Sequence, residues 1–156
     1  MSRTSTRAGH AGLHRHVVNG EAMGTRYAAV FWHEAETLPE GLAGACFAAV
    51  DEVDRQMSLW KPASDLNRLN AAPVGAWIEV PEAMAEVLAL ALQVSRQSGG
   101  LFNPCTGPVT AAWGYGPEGA DVARIKALLG RALPDLGEAL ELDIANGRAR
   151  RLLPVT

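Results

Sequence analysis

Two long amphipathic segments constrain what this chain can fold into, because each has an apolar side that another layer must cover. The first spans residues 38–58, and the second begins at Pro81 and ends at the glycine pair Gly99-Gly100. We expect the apolar stripe of the first segment to face the core and the acidic residues between its members to face solvent. The stripe consists of Leu42, Cys46, Ala49, Val50, Val53 and Met57, and the acidic residues are Asp51, Glu52 and Asp54.

Strand patterns flank both predicted helices. The dipeptides Asn19-Gly20 and Asn146-Gly147 are typical of hairpin turns and indicate antiparallel neighbours. The elements neither alternate strand with helix throughout nor are all helical. The sequence therefore predicts an α+β fold, with mixed helices packed on a mainly antiparallel sheet. The predicted strands cover residues 15–18, 25–33, 76–80, 139–143 and 148–152, and shorter helices cover 64–69, 108–113 and 121–131.

Length and composition set the domain organisation and exclude several classes of protein. The chain has 156 residues, of which 48% are apolar and 20% charged, and we predict one unit at residues 17–156 after a disordered arm at 1–16. The net charge of −3 offers no basic excess for binding nucleic acid. Because no apolar run fits a signal peptide or a membrane segment, we expect a cytoplasmic protein. Cys46 and Cys105 are isolated from each other and from histidine, which argues against a zinc site.

Residues 101–117 form the most unusual segment, because three prolines and three glycines frame an apolar and aromatic stretch. Surface loops are ordinarily polar, so this one either packs inside the protein or covers a ligand. Flat aromatic faces on such loops can hold a planar heterocycle between them. The alternative is that they fill the ends of the core. The side chains concerned, all in irregular segments, are Met23, Trp60, Phe102, Trp113 and Tyr115.

Several motifs in order along the chain resemble those of one family. They are Met23-Gly24-Thr25, the segment 53–60 (VDRQMSLW), the segment 64–70 (SDLNRLN), the segment 99–103 (GGLFN) and the segment 107–117 (GPVTAAWGYGP). Together they resemble the FAD:protein FMN transferases of the ApbE family over about residues 17–152. The resemblance implies a Mg²⁺-dependent enzyme that splits FAD at its pyrophosphate, joins FMN to a threonine hydroxyl of a target flavoprotein and releases AMP.

The resemblance also assigns a flavin site. Met23 matches the methionine of the family's site, and Trp60 stands where members often have tyrosine. Leu101, Phe102 and Asn103 match the segment that contacts the nucleotide, with Asn103 in place of the usual aspartate. No catalytic residue is identified, because the chain has no nucleophile motif of its own.

A further implication concerns what the sequence lacks. Family members are longer and continue with a motif of the type DLGGIAKG and with the magnesium ligands, whereas this sequence ends at Thr156. We therefore expect a truncated, N-terminal part of the family fold, without metal ligands and inactive alone. We also expect an unpaired edge strand at residues 148–152 that promotes self-association. The alternative is a non-catalytic flavin-binding or assembly module, or the relic of an interrupted gene.

Overall fold

A computed structural model describes residues 3–8 and 12–154 and divides the chain into two compact units, Met1–Ser58 and Leu59–Thr156. The sequence analysis instead expected a single unit at residues 17–156. Helices and antiparallel sheets are mixed in the structure, so the predicted α+β class is confirmed. Within the described residues, no helix has both the length and the apolar character needed to cross a membrane.

The first unit contains a three-stranded antiparallel sheet with strand order β1-β2-β3, and a helix, α1, that lies against β2. Its elements are β1 (Arg3–Ala8), β2 (His14–Ala22), β3 (Thr25–His33) and α1 (Leu42–Met57). The structure differs here from the disordered arm expected at residues 1–16, because β1 pairs with β2 in register from Arg3↔Asn19 to Ala8↔His14. The segment has no apolar periodicity to reveal a strand, but its alternating threonines favour extended backbone.

The turn between β2 and β3 lies at Met23-Gly24 and not at Asn19-Gly20, which the sequence analysis predicted as a hairpin signal. Both turn residues have positive φ, +50° at Met23 and +69° at Gly24, as a tight hairpin turn requires. Gly20 lies inside β2 and pairs with Tyr27 of β3. A Cβ at Gly20 would lie only 2.7–2.8 Å from atoms of the Tyr27 side chain.

The inner face of β2 alternates with period two, and His16, Val18 and Gly20 are its buried residues. The His16 Nε2 atom lies 2.9 Å from the carbonyl oxygen of Ala35, and its ring stacks on Phe31 with 5.6 Å between centroids. Histidine is buried here because its polar edge has a hydrogen-bond partner and its face has an aromatic one.

Four residues of the predicted apolar stripe of α1 are half-buried, namely Leu42, Cys46, Val50 and Met57, but the fully buried residues of this helix are polar. Asp54 is 7% exposed, whereas Val53 from the stripe is 42% exposed. The other buried residue of α1 is Gln56, whose Nε2 donates to Glu52 Oε1 at 2.6 Å. The prediction was thus wrong for Asp54, which is buried, and for Ala49 and Val53, which are exposed, because apolar spacing alone does not determine what lies opposite each residue of a helix.

The second unit combines five helices with a three-stranded antiparallel sheet of order β4-β6-β5. Its elements are α2 (Asp65–Ala71), β4 (Ile78–Glu79), α3 (Glu82–Gln97), α4 (Gly107–Ala112), α5 (Val122–Leu128), α6 (Leu136–Ala139), β5 (Leu140–Asp143) and β6 (Arg148–Arg151). The sequence analysis did not predict α6, a single turn whose first amides are capped by Asp135.

Strand β6 is the centre of this sheet, so the expectation of an unpaired edge at residues 148–152 was wrong. Ala149 pairs with Ile78 on one side and Leu142 on the other and is fully buried. The edges of the sheet are β4, which has two residues, and β5.

The outer face of this sheet carries a stacked cluster on β6. The guanidinium groups of Arg148 and Arg150 lie over the ring of Trp77, 4.6 and 4.5 Å from its centroid. Each arginine also pairs with an acid of β5, Arg148 with Asp143 at 2.9 Å and Arg150 with Glu141 at 2.6 Å. The Arg148 pair and a hydrogen bond from Asn146 keep the pKa of the Asp143 carboxyl below its ordinary value, with Asn146 the larger cause.

A third arginine of β6 joins the sheet to α2. Arg151 donates from Nε to the carbonyl oxygen of Leu69 at 3.1 Å, and from a second nitrogen to the carbonyl oxygen of Ala72. These carbonyls lie at the C-terminal end of α2, where the helix dipole favours a cation, and that of Leu69 also accepts from the Ala72 amide at 3.4 Å. The contact therefore fixes the C-terminal end of α2 against the sheet.

Candidate functional site

Met23 lies at the tip of the β2–β3 hairpin in the first unit. It is the one non-glycine residue with positive φ in the described part of the chain, a conformation that is costly for a side chain without a short polar group. An open, shallow depression of about 470 Å³ at the hairpin tip is lined by residues 21–26. Glu21 and Arg26 flank the tip as an exposed ion pair at 3.6 Å. The backbone of the tip is thus held in a costly form, as is common at binding sites.

Trp60 lies on the loop that precedes α2, and its side chain is 49% exposed. Asn67 holds this loop, because its Nδ2 donates to the carbonyl oxygen of Leu59 at 3.2 Å and to that of Lys61 at 2.9 Å. The hydroxyl of Ser64 caps α2 by accepting from the Asn67 amide. The two carbonyls on either side of Trp60 are therefore fixed by one side chain of the SDLNRLN segment. Sequence reasoning did not assign Asn67 this role.

Leu101, Phe102 and Asn103 follow the glycine pair Gly99-Gly100, whose φ values of +62° and +83° are left-handed. Leu101 and Phe102 are exposed. The Phe102 amide donates to the hydroxyl of Ser98 at 3.0 Å, and this hydroxyl donates to the carbonyl of Ser95. Ser98, another residue that sequence reasoning missed, thus fixes the start of the segment.

The side-chain amide of Asn103 both accepts and donates a hydrogen bond within the fold. Its Oδ1 accepts from the Cys105 amide at 2.9 Å, and its Nδ2 donates to the carbonyl oxygen of Pro134 at 3.0 Å. An aspartate could make the first of these bonds but could not donate the second. Asparagine at position 103, where the family usually has aspartate, thus makes a hydrogen bond to the Pro134 carbonyl that an aspartate could not make. Burial, followed by the charge of Asp135, raises the pKa of the neighbouring Cys105 thiol.

The aromatic side chains of the irregular segments lie at the surface of the described structure and do not fill the ends of the core. Trp60, Phe102, Trp113 and Tyr115 are all exposed. Trp60 and residues 101–103 belong to the second unit and Met23 to the first. The five predicted site residues are thus carried on three loops, with Leu101, Phe102 and Asn103 adjacent on one of them.

The acidic residues do not form a metal centre in the described part of the chain, which contains no group of three or more histidine, cysteine, aspartate or glutamate residues placed to hold an ion. Glu52 is engaged by Arg55 at 2.5 Å and by Gln56, and these hydrogen bonds, that of Arg55 first, lower the pKa of its carboxyl. Magnesium prefers carboxylate and carbonyl oxygens in octahedral arrangement. The described residues therefore do not fit a magnesium site.

Comparison with protein families and curated proteins gives a consistent match. The model of the ApbE family matches residues 23–150. A protein of Klebsiella pneumoniae (strain 342) named FAD:protein FMN transferase is 34% identical over 108 residues, which cover 65% of this chain and 29% of that protein. A protein of the same name from Haemophilus influenzae is 31% identical over 104 residues, covering 65% and 30%.

Solved structures match over more of the chain. The apo crystal structure of the Pseudomonas stutzeri flavinyl transferase ApbE superposes with a TM-score of 0.70 at 24% identity, covering 94% of this chain and 47% of that one. The ApbE protein of Thermotoga maritima gives a TM-score of 0.65 at 18% identity, covering 88% and 44%. The chain thus spans just under half the length of these solved structures, and its aligned part is under a third of the curated relatives.

Proposed function

Because the chain belongs to the ApbE family, we propose that it functions in the transfer of FMN from FAD to a threonine of an acceptor flavoprotein. Membership of the family confirms the resemblance predicted from the motifs. The observation that carries the proposal is the name shared by the curated relatives, FAD:protein FMN transferase, together with a family match over residues 23–150 that includes all five motifs.

The proposed reaction is a displacement at phosphorus. The acceptor threonine oxygen forms a bond to the phosphorus on the FMN side of FAD, the bond from that phosphorus to the bridging oxygen breaks, and AMP leaves with the electron pair. The threonine hydroxyl loses its proton to a base. A divalent ion would neutralise the pyrophosphate in such a step. Since the described residues do not fit such an ion, we derive no step through it and assign this chain to flavin binding.

We propose that the flavin is bound by Met23, Trp60, Leu101, Phe102 and Asn103. Support comes from how their loops are held. The hydrogen bonds of Asn67 fix the Trp60 loop, Ser98 fixes Phe102, and the turn backbone fixes Met23. A loop that is already ordered loses less entropy when it binds a ligand. An aromatic contact with the flavin ring adds about 0.5–1.5 kcal/mol beyond the area it buries.

A fluorescence titration tests the flavin site. FAD fluorescence should be quenched saturably by the purified chain, and Trp60→Ala should weaken binding by about three- to tenfold, the equivalent of one aromatic contact. Trp32→Ala is the matched control, because Trp32 is 50% exposed and Trp60 is 49% exposed. Equal binding by the two variants would reject Trp60 as a stacking residue, and the absence of saturable quenching by the parent chain would reject flavin binding.

A second candidate function is a flavin-binding or assembly module without catalytic activity of its own. The observation that favours it is the absence of a metal-holding group among the described residues of a chain that matches under half of the solved relatives. Release of AMP from FAD, measured by chromatography with Mg²⁺ and an acceptor flavoprotein, separates the two. We expect no release from the chain alone, and AMP formed by the chain alone would favour a complete transferase.

A further inference from the structure

An apolar groove of about 450 Å³ opens along one side of the second unit, between α3 and β5. Leu92, Gln93 and Arg96 of α3 form one wall. The other wall is formed by Leu142 of β5 and by Ile144, an exposed side chain just beyond the strand. The groove is therefore continuous with the edge of the sheet, and not a depression within a covered surface.

The edge of β5 that borders this groove has backbone groups available for pairing. The Leu152 amide donates to the carbonyl oxygen of Ala139 at 2.8 Å, which makes these residues a hydrogen-bonded pair. In an antiparallel ladder such pairs alternate with non-hydrogen-bonded ones, so Glu141 and Asp143 bond to β6. The N–H and C=O groups of Leu142 therefore point away from β6, towards the open side. Neither takes part in a backbone hydrogen bond elsewhere in the described structure.

Arg96 gives the groove a chemical preference. Its guanidinium makes no hydrogen bond or ion pair with any other described residue, and no acidic residue lines the groove. A guanidinium beside apolar walls favours a carboxylate partner, with which it can form a bidentate pair. An occupant with alternating apolar side chains and one acid would satisfy both the walls and the charge.

The comparison structures indicate which polypeptide this occupant belongs to. Both superpose on this chain over most of its length, yet more than half of each lies outside the match. We infer that the open edge of β5 and its groove bind an extended segment of the polypeptide that forms the remainder of the ApbE fold. The segment adds a strand beside Leu142, places an apolar side chain against Ile144 and directs a carboxylate to Arg96. This inference rests on membership of the family and not on the proposed activity.

Binding is tested with the half of the Pseudomonas stutzeri transferase that the chain does not match, co-expressed with the whole chain. We expect the two to co-purify, and hydrogen exchange at the Leu142 amide to slow in the complex. As a second measurement, fluorescent overlapping peptides that span the same half are titrated with the chain. We expect the binding peptides to share alternating apolar residues and a carboxylate.

Two variants locate the interaction in the groove. Arg96→Glu and Ile144→Asp should each weaken binding by about tenfold or more, because one reverses the only charge in the lining and the other places a charge on an apolar wall. Arg131→Glu makes the same charge reversal on an exposed arginine outside the groove and should leave binding unchanged. Circular dichroism verifies that all three variants are folded.

Three outcomes would overturn the inference. The first is that neither the co-expressed half nor any peptide binds the chain. The second is that the Arg96→Glu and Ile144→Asp variants bind the partner as strongly as the Arg131→Glu variant. The third is a homodimer of the chain that the groove variants dissociate, since the occupant would then be a second copy.

Discussion

Replacing Met23 by asparagine should make the protein more stable while weakening its hold on flavin. Met23 and Gly24 both have positive φ, which in a two-residue hairpin turn favours Asn-Gly above other pairs. Methionine has no short polar group that can bond its own backbone, so it bears the full penalty of the left-handed conformation. The same residue is the one that we propose contacts the flavin from the hairpin tip.

The size of the effect follows from the backbone. The left-handed region costs an ordinary residue about 1–2 kcal/mol, and asparagine recovers part of this through local hydrogen bonds. Met23→Asn should therefore raise the free energy of unfolding by about 1 kcal/mol. The lost thioether contact should lower flavin affinity by a factor of about three to ten, as for other contacts of sulfur with aromatic rings.

Urea denaturation measures the first effect and FAD quenching the second. Unfolding is followed by circular dichroism and by tryptophan fluorescence, to which Trp32 of β3 contributes from the same sheet. Met23→Leu is the control, because leucine is equally unsuited to positive φ and preserves an apolar side chain. Its stability should stay within about 0.5 kcal/mol of the parent chain.

A result in which Met23→Asn is no more stable than Met23→Leu would refute the reasoning from backbone strain. Met23→Asn would then have removed side-chain contacts worth at least as much as the strain. Greater stability with unchanged flavin binding would uphold the strain but reject Met23 as a flavin contact. Urea denaturation thus tests the backbone strain at Met23, and FAD quenching tests its contact with flavin.

Three further predictions concern stability. Gly20→Ala should cost about 1–3 kcal/mol in urea denaturation, since its Cβ would meet the Tyr27 side chain at 2.7–2.8 Å, and a wild-type midpoint would contradict this. Arg151→Met should cost about 1–3 kcal/mol because it removes the side-chain donor of the Leu69 and Ala72 carbonyls, and a near-neutral result would show that water replaces it. Asp143, whose pKa is lowered from about 3.8 chiefly by the Asn146 hydrogen bond, should stabilise the fold above that pH and lose its effect as pH falls through the lower folded-state pKa. Asp143→Asn should therefore flatten the acid limb of stability against pH, and an unchanged limb would assign it to other groups.

The parts of the fold that sequence predicts are those decided by neighbouring residues. Helix α3 ends just before Gly99-Gly100 as predicted, because a helix end depends on a few backbone groups nearby. Strand β3 has the predicted bounds, 25–33, since its aromatic and β-branched residues favour strands wherever they pair.

The errors arose where a distant contact decides the structure. Gly20 lies within β2 opposite Tyr27 of β3, and the turn forms later, at Met23-Gly24. Asp54 is buried and Val53 exposed because burial depends on what lies opposite α1, which spacing cannot reveal. The polar segment 3–8 becomes a strand only through pairing with β2.

For the candidate site, the sequence predicted which loops would carry it but not how those loops are held. The aromatic residues of the glycine- and proline-rich segments are exposed, as a binding role requires. The supports of these loops, Asn67 and Ser98, went unassigned although Asn67 belongs to a recognised motif. Their hydrogen bonds go to backbone atoms, and a side chain's backbone partners leave little trace in residue type. The flavin roles of Met23, Trp60 and residues 101–103 stay predictions.

The two edge strands of the second sheet differ in how much backbone they leave available for hydrogen bonding. At one edge, β4 is only two residues long and follows Trp77, whose ring is covered by two guanidinium groups. This edge therefore has little backbone available to pair with another strand. At the other edge, the peptide groups of Leu142 in β5 point outward, and no comparable stacked cluster lies beside them in the described structure. The described residues therefore offer more backbone for extending this sheet at β5 than at β4.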